Sequence, residues 1–361
     1  MCGFIGTISY KKINDSAIRS ANKFIECRGP DSNIFTNKNI NDLNLSLIFN
    51  RLSILDLSKN ANQPMHSKEF NTTLMFNGEI YNNLELRNEL IKNKVHFSTS
   101  HSDSETVLNG LSFYGLDFLK KLRGQFSIFF LDENKRKAYL IRDRLGQKPL
   151  YFHKDKDTLI FGSSLLSLLK IKKDFKVSEK SVYNYLNYGI IHSPYTLFEN
   201  FYKVCPSEII EINFQKQNLQ TQKYFYWNPE EYIDNREFDT DEFFNLFSES
   251  INIRTIADVP VANFLSGGID STSITKNLYD NNLDINSFSI YLDNPKYDES
   301  KFIKSVVNKY NLKHNAVSIS SKIENSNIYE SLTSLDEPYS DPSVVPSFLL
   351  SKEISNSYKV A

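Results

Sequence analysis

The apolar positions of this chain recur with one period in its first two hundred residues and with another after residue 235. Gly3-Phe4-Ile5-Gly6-Thr7-Ile8-Ser9-Tyr10 reads as a strand, and Leu45-Ser46-Leu47-Ile48-Phe49 has apolar residues at every second place. That is the period of a strand whose side chains alternate between two faces. Thr73 to Phe76, Phe126 to Leu131, Ala138 to Ile141 and Leu159 to Phe161 are further candidate strands. Two helices interrupt them. One runs from Leu84 to Lys92, with Leu84, Leu86, Leu90 and Ile91 as its apolar members. The other, Asp103 to Tyr114, opens on Ser102-Asp103-Ser104-Glu105, a capping region.

Residues 213–235 are polar and aromatic, with Gln215-Lys216-Gln217-Asn218 followed by Tyr224-Phe225-Tyr226-Trp227, and are expected to form a linker. Beyond them strands alternate with helices. Val259 to Leu265, Ser287 to Leu292 and Asn315 to Ile319 read as strands; helices are expected from Asp270 and over Glu299 to Tyr310. Such alternation predicts a parallel sheet flanked by helices. Ser357-Tyr358-Lys359-Val360-Ala361 resembles the opening of another strand. Three strands and an unfinished fourth are few for this architecture, so a truncated chain is expected. The length of 361 residues suits two domains.

Charge and cysteine content exclude several classes. Lys and Arg number 42 against 43 Asp and Glu, a formal net charge of -1, which calls for neither nucleic acid nor an anionic membrane as partner. The apolar runs are too short to span a bilayer, and the N-terminus lacks the features of a signal peptide. Cysteines at 2, 27 and 205 form no CxxC pair, so neither a disulfide framework nor structural zinc is expected. A reducing cytoplasm fits.

Position 2 is chemically unusual. Methionine aminopeptidases remove Met1 before a small residue, which gives Cys2 both a thiol and a free α-amine. Their reference pKa values, about 8.5 and about 7.7–8.0, lie close together. The amine can therefore act as base for its own side chain. Taken alone, Cys2 reads more readily as a small buried hydrophobe at a chain end.

The neighbouring motifs reverse that reading. Met1-Cys2-Gly3-Phe4-Ile5-Gly6 is followed by Arg28-Gly29-Pro30-Asp31, Asn50-Arg51-Leu52-Ser53-Ile54-Leu55-Asp56, Phe76-Asn77-Gly78-Glu79-Ile80-Tyr81-Asn82 and Ser102-Asp103-Ser104-Glu105-Thr106. Gly124-Gln125-Phe126-Ser127 and Arg142-Asp143-Arg144-Leu145-Gly146-Gln147-Lys148-Pro149-Leu150-Tyr151 complete the set. In this order they resemble the class II glutamine amidotransferase domain, over residues 2–212. Chemically, Arg51 offers a planar fork for an α-carboxylate, and Glu79 and Asp103 offer acceptors for an α-ammonium. The Asn77 NH2 and the Gly78 N–H could receive the oxyanion formed when Cys2 attacks an amide, one such donor being worth about 3–4 kcal/mol. The resemblance gives these positions the same roles and adds Leu52, Ser53, Ile54 and Leu55 to the glutamine site. On its own, Asn77-Gly78 is a hairpin signal and reads as a turn. Arg28-Gly29-Pro30-Asp31 reads as a structural turn, with Cys27 where the family usually has His.

In the second half, Phe264-Leu265-Ser266-Gly267-Gly268-Ile269-Asp270-Ser271-Thr272 joins a strand to a helix. Glycines permit a tight bend, and a helix N-terminus favours an anion, so this is a candidate phosphate cradle. It has neither a Walker A ending nor a GxGxxG. It resembles the pyrophosphate loop of ATP pyrophosphatases. That resemblance places Leu265 and Ile290 at the adenine or ribose, Ser266, Gly267, Gly268, Asp270 and Ser271 at the pyrophosphate, and Mg2+ on Asp270 through that pyrophosphate. Leu335-Asp336-Glu337-Pro338 resembles a further family segment near the acceptor.

The two halves in this order resemble the glutamine-hydrolysing asparagine synthetases. The implied fold is an α+β N-terminal-nucleophile αββα domain (2–212), a linker (213–235) and an incomplete α/β adenine-nucleotide α-hydrolase-like domain (236–361). The implied enzyme is an ATP-dependent carbon–nitrogen ligase with glutamine as amide donor. Cys2 forms a γ-glutamyl thioester and releases ammonia; ATP adenylylates the aspartate carboxylate; ammonia displaces AMP to give asparagine. Glutamine, aspartate and ATP are the expected partners, with a homodimer as a family expectation. The alternatives are another acceptor, such as a sugar acid of a surface polysaccharide, a fragment with glutaminase activity only, or a non-catalytic binding protein built from a degraded synthetase.

Overall fold

Every residue from Gly3 to Ser9 is buried, because both faces of that strand are covered. The computed structural model describes residues 2–361 apart from 216–217, 235, 284, 297 and 320–323, with the chain in two compact units, 1–234 and 235–361. Met1, whose removal the chemistry expected of Cys2 would require, and Lys216, Gln217 and Asn235 of the expected linker lie outside the described residues.

The first unit runs β1 (Gly3–Ser9), α1 (Asp15–Ala21), β2 (Ser32–Ile40), β3 (Leu43–Arg51), β4 (Met65–Ser67), β5 (Thr72–Ile80), α2 (Asn83–Lys92), α3 (Asp103–Tyr114), β6 (Gly124–Asp132), β7 (Lys137–Arg142), β8 (Tyr151–Lys154), β9 (Thr158–Gly162), α4 (Leu165–Ile171), α5 (Glu179–Tyr188), β10 (Phe201–Lys203), β11 (Glu208–Gln215) and β12 (Asn218–Phe225). One sheet has the order β10-β8-β9-β1-β3-β2 and the other β12-β11-β7-β6-β5-β4. Phe4, Leu47 and Phe49 of the first sheet pack with Met75, Phe129 and Leu140 of the second in one core. The opposite faces are covered by helices. Ile5 and Ile48 meet Ile18 of α1, Ile160 meets Leu165 and Leu168 of α4, and Phe76 and Ile128 meet Leu86 and Leu108 of α2 and α3. The result is a four-layer αββα unit. Alternation along each strand, apolar on both faces, is what sends one set of side chains between the sheets and the other under a helix.

Three expectations change here. Residues 213–215 and 218–225 of the stretch read as a linker lie instead in the paired strands β11 and β12, in which Glu208 pairs with Phe225 and Gln215 with Asn218. The stretch reads as polar because β12 is an edge strand with much of its outer face exposed. Asn77-Gly78 lies inside β5, with Asn77 opposite Ser127 and Gly78 opposite Phe126, and makes no turn. A Cβ on Gly78 would lie 2.2 Å from the Gln125 carbonyl oxygen, so close strand approach explains this glycine. The apolar members expected for α2 are only half right. Leu84 and Ile91 are 59% and 50% exposed, and the buried stripe is Asn83, Leu86, Arg87 and Leu90.

The second unit comprises α6 (Thr240–Asn252), β13 (Ala262–Phe264), α7 (Ile269–Asp280), β14 (Asn286–Leu292), α8 (Ser300–Tyr310), β15 (His314–Ile319), α9 (Asn325–Thr333) and α10 (Val344–Ile354). Its strands form a parallel sheet in the order β13-β14-β15. Val360 pairs in parallel with Val261, and the Ala262 N–H donates to its carbonyl at 2.8 Å, so the expected fourth stretch does join the sheet. Phe288 packs with Leu350 and Ile354 of α10. Among the described residues no helix is long and apolar enough to cross a membrane.

Candidate active site

Cys2 precedes β1, and its side chain packs against the core between the two sheets. Its Sγ lies 3.4 Å from the Leu52 N–H, which donates to it, and 3.6 Å from the Leu52 carbonyl oxygen. Arg28 Nε donates to the Cys2 carbonyl at 3.2 Å. Burial pushes the thiol above its ordinary value, the Leu52 N–H opposes that rise, and the carboxylates of Glu79 and Asp103 add to it.

The period of β5 brings its polar residues to the same space. Met75 lies between the sheets, so Asn77 and Glu79 continue that face. The strand's other edge is finished by side chains. Gln63 accepts from the Phe76 N–H at 2.6 Å and donates to the Phe76 carbonyl at 3.1 Å. Asp103 Oδ2 accepts from the Ile80 N–H at 3.1 Å. Backbone N–H groups alternate in direction along a strand, so the Gly78 N–H points to this edge between the two. Asn77 is 1% exposed; its Nδ2 lies 3.5 Å from Ser127 Oγ and its Oδ1 has no partner among the described residues. A half-turn of the amide lets the Ser127 hydroxyl donate to Oδ1 and frees the NH2 to donate into the site.

Electrostatics mark the carboxylates as unusual. Burial raises Asp103 to about 6, against hydrogen bonds from Ile80 and Ser104 that lower it. Glu79 is pushed well above the carboxylate range by burial and then by Asp103, with Lys148 acting the other way. Burial lowers Lys148. Two adjoining carboxyls in a dry setting share a site poised to accept a cation.

Arg51 departs from expectation. Its Nη1 donates to the Ser58 carbonyl at 2.7 Å and Asn62 Oδ1 at 2.8 Å, and its Nη2 to the carbonyls of Leu55 and Asp56. A buried guanidinium satisfies its donors where it can, and here the fork clasps the loop after β3. That loop carries Leu52, Ser53, Ile54 and Leu55, and Asp31 Oδ2 holds the Ser53 N–H at 2.7 Å. The Arg28-Gly29-Pro30-Asp31 turn therefore anchors Cys2 at one end and the loop at the other.

Ser102 caps α3 without a side-chain hydrogen bond. Glu105 instead accepts from the Ser98 and Thr99 N–H groups at 2.7 and 2.8 Å, and Arg87 donates to the carbonyls of Thr99 and Ser102. The polar stripe of α2 is buried because it fastens the turn that presents Asp103.

In the second unit Leu265 is buried and Ser266 to Gly268 bridge β13 and α7. Ser266 and Ser271 hydroxyls lie 3.0 Å apart, and the Ser266 N–H donates to Ser271 Oγ at 3.2 Å. Gly267 has φ +80°, and a Cβ there would lie 3.0 Å from the Ile303 nitrogen. This cradle fits a phosphate group approaching the exposed N-terminus of α7. Asp270 is exposed and Ile290 sits on β14, partly buried. Among the described residues no three His, Cys, Asp or Glu gather as a metal site.

A glutamine amidotransferase domain family matches residues 1–226, and an asparagine synthase family matches 242–361. A putative asparagine synthetase [glutamine-hydrolyzing] 2 of Methanocaldococcus jannaschii is 30% identical over 98% of this chain and 71% of its own length. The chain belongs to the glutamine-hydrolysing asparagine synthetase family. Asparagine synthetase [glutamine-hydrolyzing] 1 of Bacillus subtilis is 29% identical over 100% of this chain, and number 3 is 27% identical over 89%. The chain spans 57% and 55% of those two relatives. The structure of an allosteric regulatory enzyme of purine biosynthesis aligns with TM-score 0.48 at 12% identity, over 89% of this chain and 80% of that one.

The amidotransferase match reaches residue 226, past the expected boundary at 212, in agreement with the place of β11 and β12 in the second sheet. Within this synthetase-family chain, sequence reading overlooked Gln63, Asp143 and Lys148. Asp143 is fully buried and accepts from four N–H groups: Leu145 and Gln147 at Oδ1, Lys148 and Phe126 at Oδ2. Asp143 and Lys148 belong to the Arg142–Tyr151 motif, their one visible signal; nothing in the sequence marks Gln63.

Proposed function

We propose that this chain hydrolyses glutamine at Cys2 and that the ammonia serves amidation of an aspartate side chain activated with ATP. The observation that carries the first half is the convergence of Cys2, Asn77 and Glu79 on the inter-sheet face, beside an edge where the Gly78 N–H points outward between Gln63 and Asp103. Cys2 Sγ attacks the carboxamide carbon of glutamine, and its proton passes to the α-amine freed by loss of Met1. The oxyanion receives the Gly78 N–H and, after a half-turn of its amide, the Asn77 NH2. Collapse expels ammonia, which takes that proton, and water then hydrolyses the thioester to glutamate.

Glu79 and Asp103 hold the substrate's α-ammonium. The buried Arg51 charge draws the α-carboxylate to the Leu52–Leu55 loop, whose shape Arg51 sets. In the second unit, Ser266, Gly267, Gly268 and Ser271 hold the pyrophosphate end of ATP, Leu265 and Ile290 flank its nucleoside, and Asp270 offers an oxygen to Mg2+. ATP supplies the activation of the acceptor carboxylate. Support for this half comes from the positive φ of Gly267, the linked hydroxyls and the family match over 242–361.

The test is release of glutamate from glutamine by protein with Met1 loss verified by mass spectrometry, beside Cys2→Ala. Activity confined to the thiol-bearing protein is expected. Equal rates in both would reject the mechanism.

A further inference from the structure

The β4–β5 ladder ends with Met65 opposite Leu74, and the same register would set Gln63 opposite Phe76. A peptide group there would offer one N–H and one carbonyl. The Gln63 side chain takes that place instead. Its Oε1 accepts from the Phe76 N–H at 2.6 Å, and its Nε2 donates to the Phe76 carbonyl at 3.1 Å. A primary amide carries a second N–H, and Nε2 also donates to Ser104 Oγ at 3.1 Å. Gln63 is 3% exposed, so water does not substitute for any of these bonds once the amide is removed.

From Ser104 the bonds continue. Its hydroxyl donates to Asp103 Oδ1 at 3.5 Å, and Asp103 Oδ2 accepts from the Ile80 N–H at 3.1 Å. Phe76, Gln63, Ser104, Asp103 and Ile80 thus form a ring that closes through β5 itself. Gly78 is the middle residue of the strand side of that ring. The outward N–H groups at 76 and 80 are held, and the one at 78 lies between them. On its other edge the same stretch pairs with β6, from Phe76 opposite Ile128 to Ile80 opposite Gly124. Without the Gln63 amide the ring opens, and β5 loses its outward hold at Phe76.

We infer that Gln63 is a positioning residue for the oxyanion: its amide holds β5 at Phe76 and, through Ser104, against Asp103, which fixes where the Gly78 N–H points. The inference deepens the glutaminase reading above and rests on it.

Steady-state glutaminase kinetics of Gln63→Met and Ser104→Ala, in protein with Met1 loss verified, test it beside alkylation of Cys2 by iodoacetamide. Formation and hydrolysis of the thioester pass through an oxyanion at the same donor, so kcat should fall while KM holds. For Gln63→Met the expected fall is about 10- to 100-fold, a displaced donor costing less than a deleted one. For Ser104→Ala, which cuts only the brace, it is about three- to ten-fold, the worth of one hydrogen bond. Alkylation needs no oxyanion and should keep the parent rate in both. An unchanged kcat in either variant, a rise in KM in place of a fall in kcat, or alkylation slowed in step with kcat would overturn the inference. If Gln63→Met lacks a cooperative melt, Ser104→Ala decides alone by the same outcomes. A parent that releases no glutamate fails the glutamine reading itself; an active parent with unaffected variants fails this inference only.

Discussion

Asp103 Oδ2 accepts the Ile80 N–H at 3.1 Å, so a carboxylate from the start of a helix stands where another strand would pair with the sheet edge. One oxygen of a side chain thus finishes the backbone ladder, while its charge faces the space beside Glu79. The same interaction opposes, without cancelling, the burial that lifts Asp103 to about 6.

That balance has a consequence for stability. The folded chain holds the Asp103 proton more tightly than the unfolded one, whose value is about 3.9. Stability therefore falls as pH rises from about 4 to about 6 and is level above that window. Asp103→Asn removes the ionisation and should raise the unfolding free energy at pH 8 relative to wild type, by at most about 3 kcal/mol. At pH 4 the gain should vanish, while glutamine binding weakens throughout. An equal difference at both pH values would contradict the burial argument.

Gly78→Ala places a Cβ 2.2 Å from the Gln125 carbonyl oxygen and 2.7 Å from Phe126 Cα. Backbone cannot yield as a side chain tip does, so β5 and β6 must part. Roughly 2–3 kcal/mol of destabilisation is expected in urea unfolding. Glutaminase turnover should fall about 100-fold or more, because the Gly78 N–H moves with the strand.

Asp143→Asn keeps one acceptor oxygen and sets an NH2 against N–H groups that previously met a carboxylate. A loss of about 2–4 kcal/mol is expected. Proteolysis confined to residues 143–148 would show the loop coming free, and intact resistance there would count against the clasp.

In the second unit two adjacent glycines should respond unequally. Gly267→Ala must hold φ +80° and meets Ile303 and Phe302 at 3.0 Å, whereas a Cβ on Gly268 meets only Ser266 Oγ at 3.4 Å. A fluorescent ATP analogue should bind the first variant at least about ten-fold more weakly and the second within about three-fold, since the left-handed backbone costs roughly 1–2 kcal/mol. Matched losses would mean that backbone shape is not what the cradle requires.

Much of this was legible along the chain. Strands β1, β3, β6, β7 and β9 announce themselves because both faces are buried and their apolar runs are dense; the parallel grammar after residue 235 is equally plain. Cys2, Asn77, Glu79 and Asp103 were visible as candidates through the order of their motifs. The hairpin β11–β12 was not, because an edge strand with an exposed face has the composition of a linker. Nor was the setting of Gly78, since the same dipeptide serves a tight turn and a close strand crossing. Tertiary structure decided which donors are free. It turned the Arg51 fork onto its own loop, set Gln63 and Asp103 on either side of the Gly78 N–H, and buried Lys148. The reason is physical: residue type determines what a group can donate or accept, but whether it is already satisfied depends on neighbours brought together from distant parts of the chain.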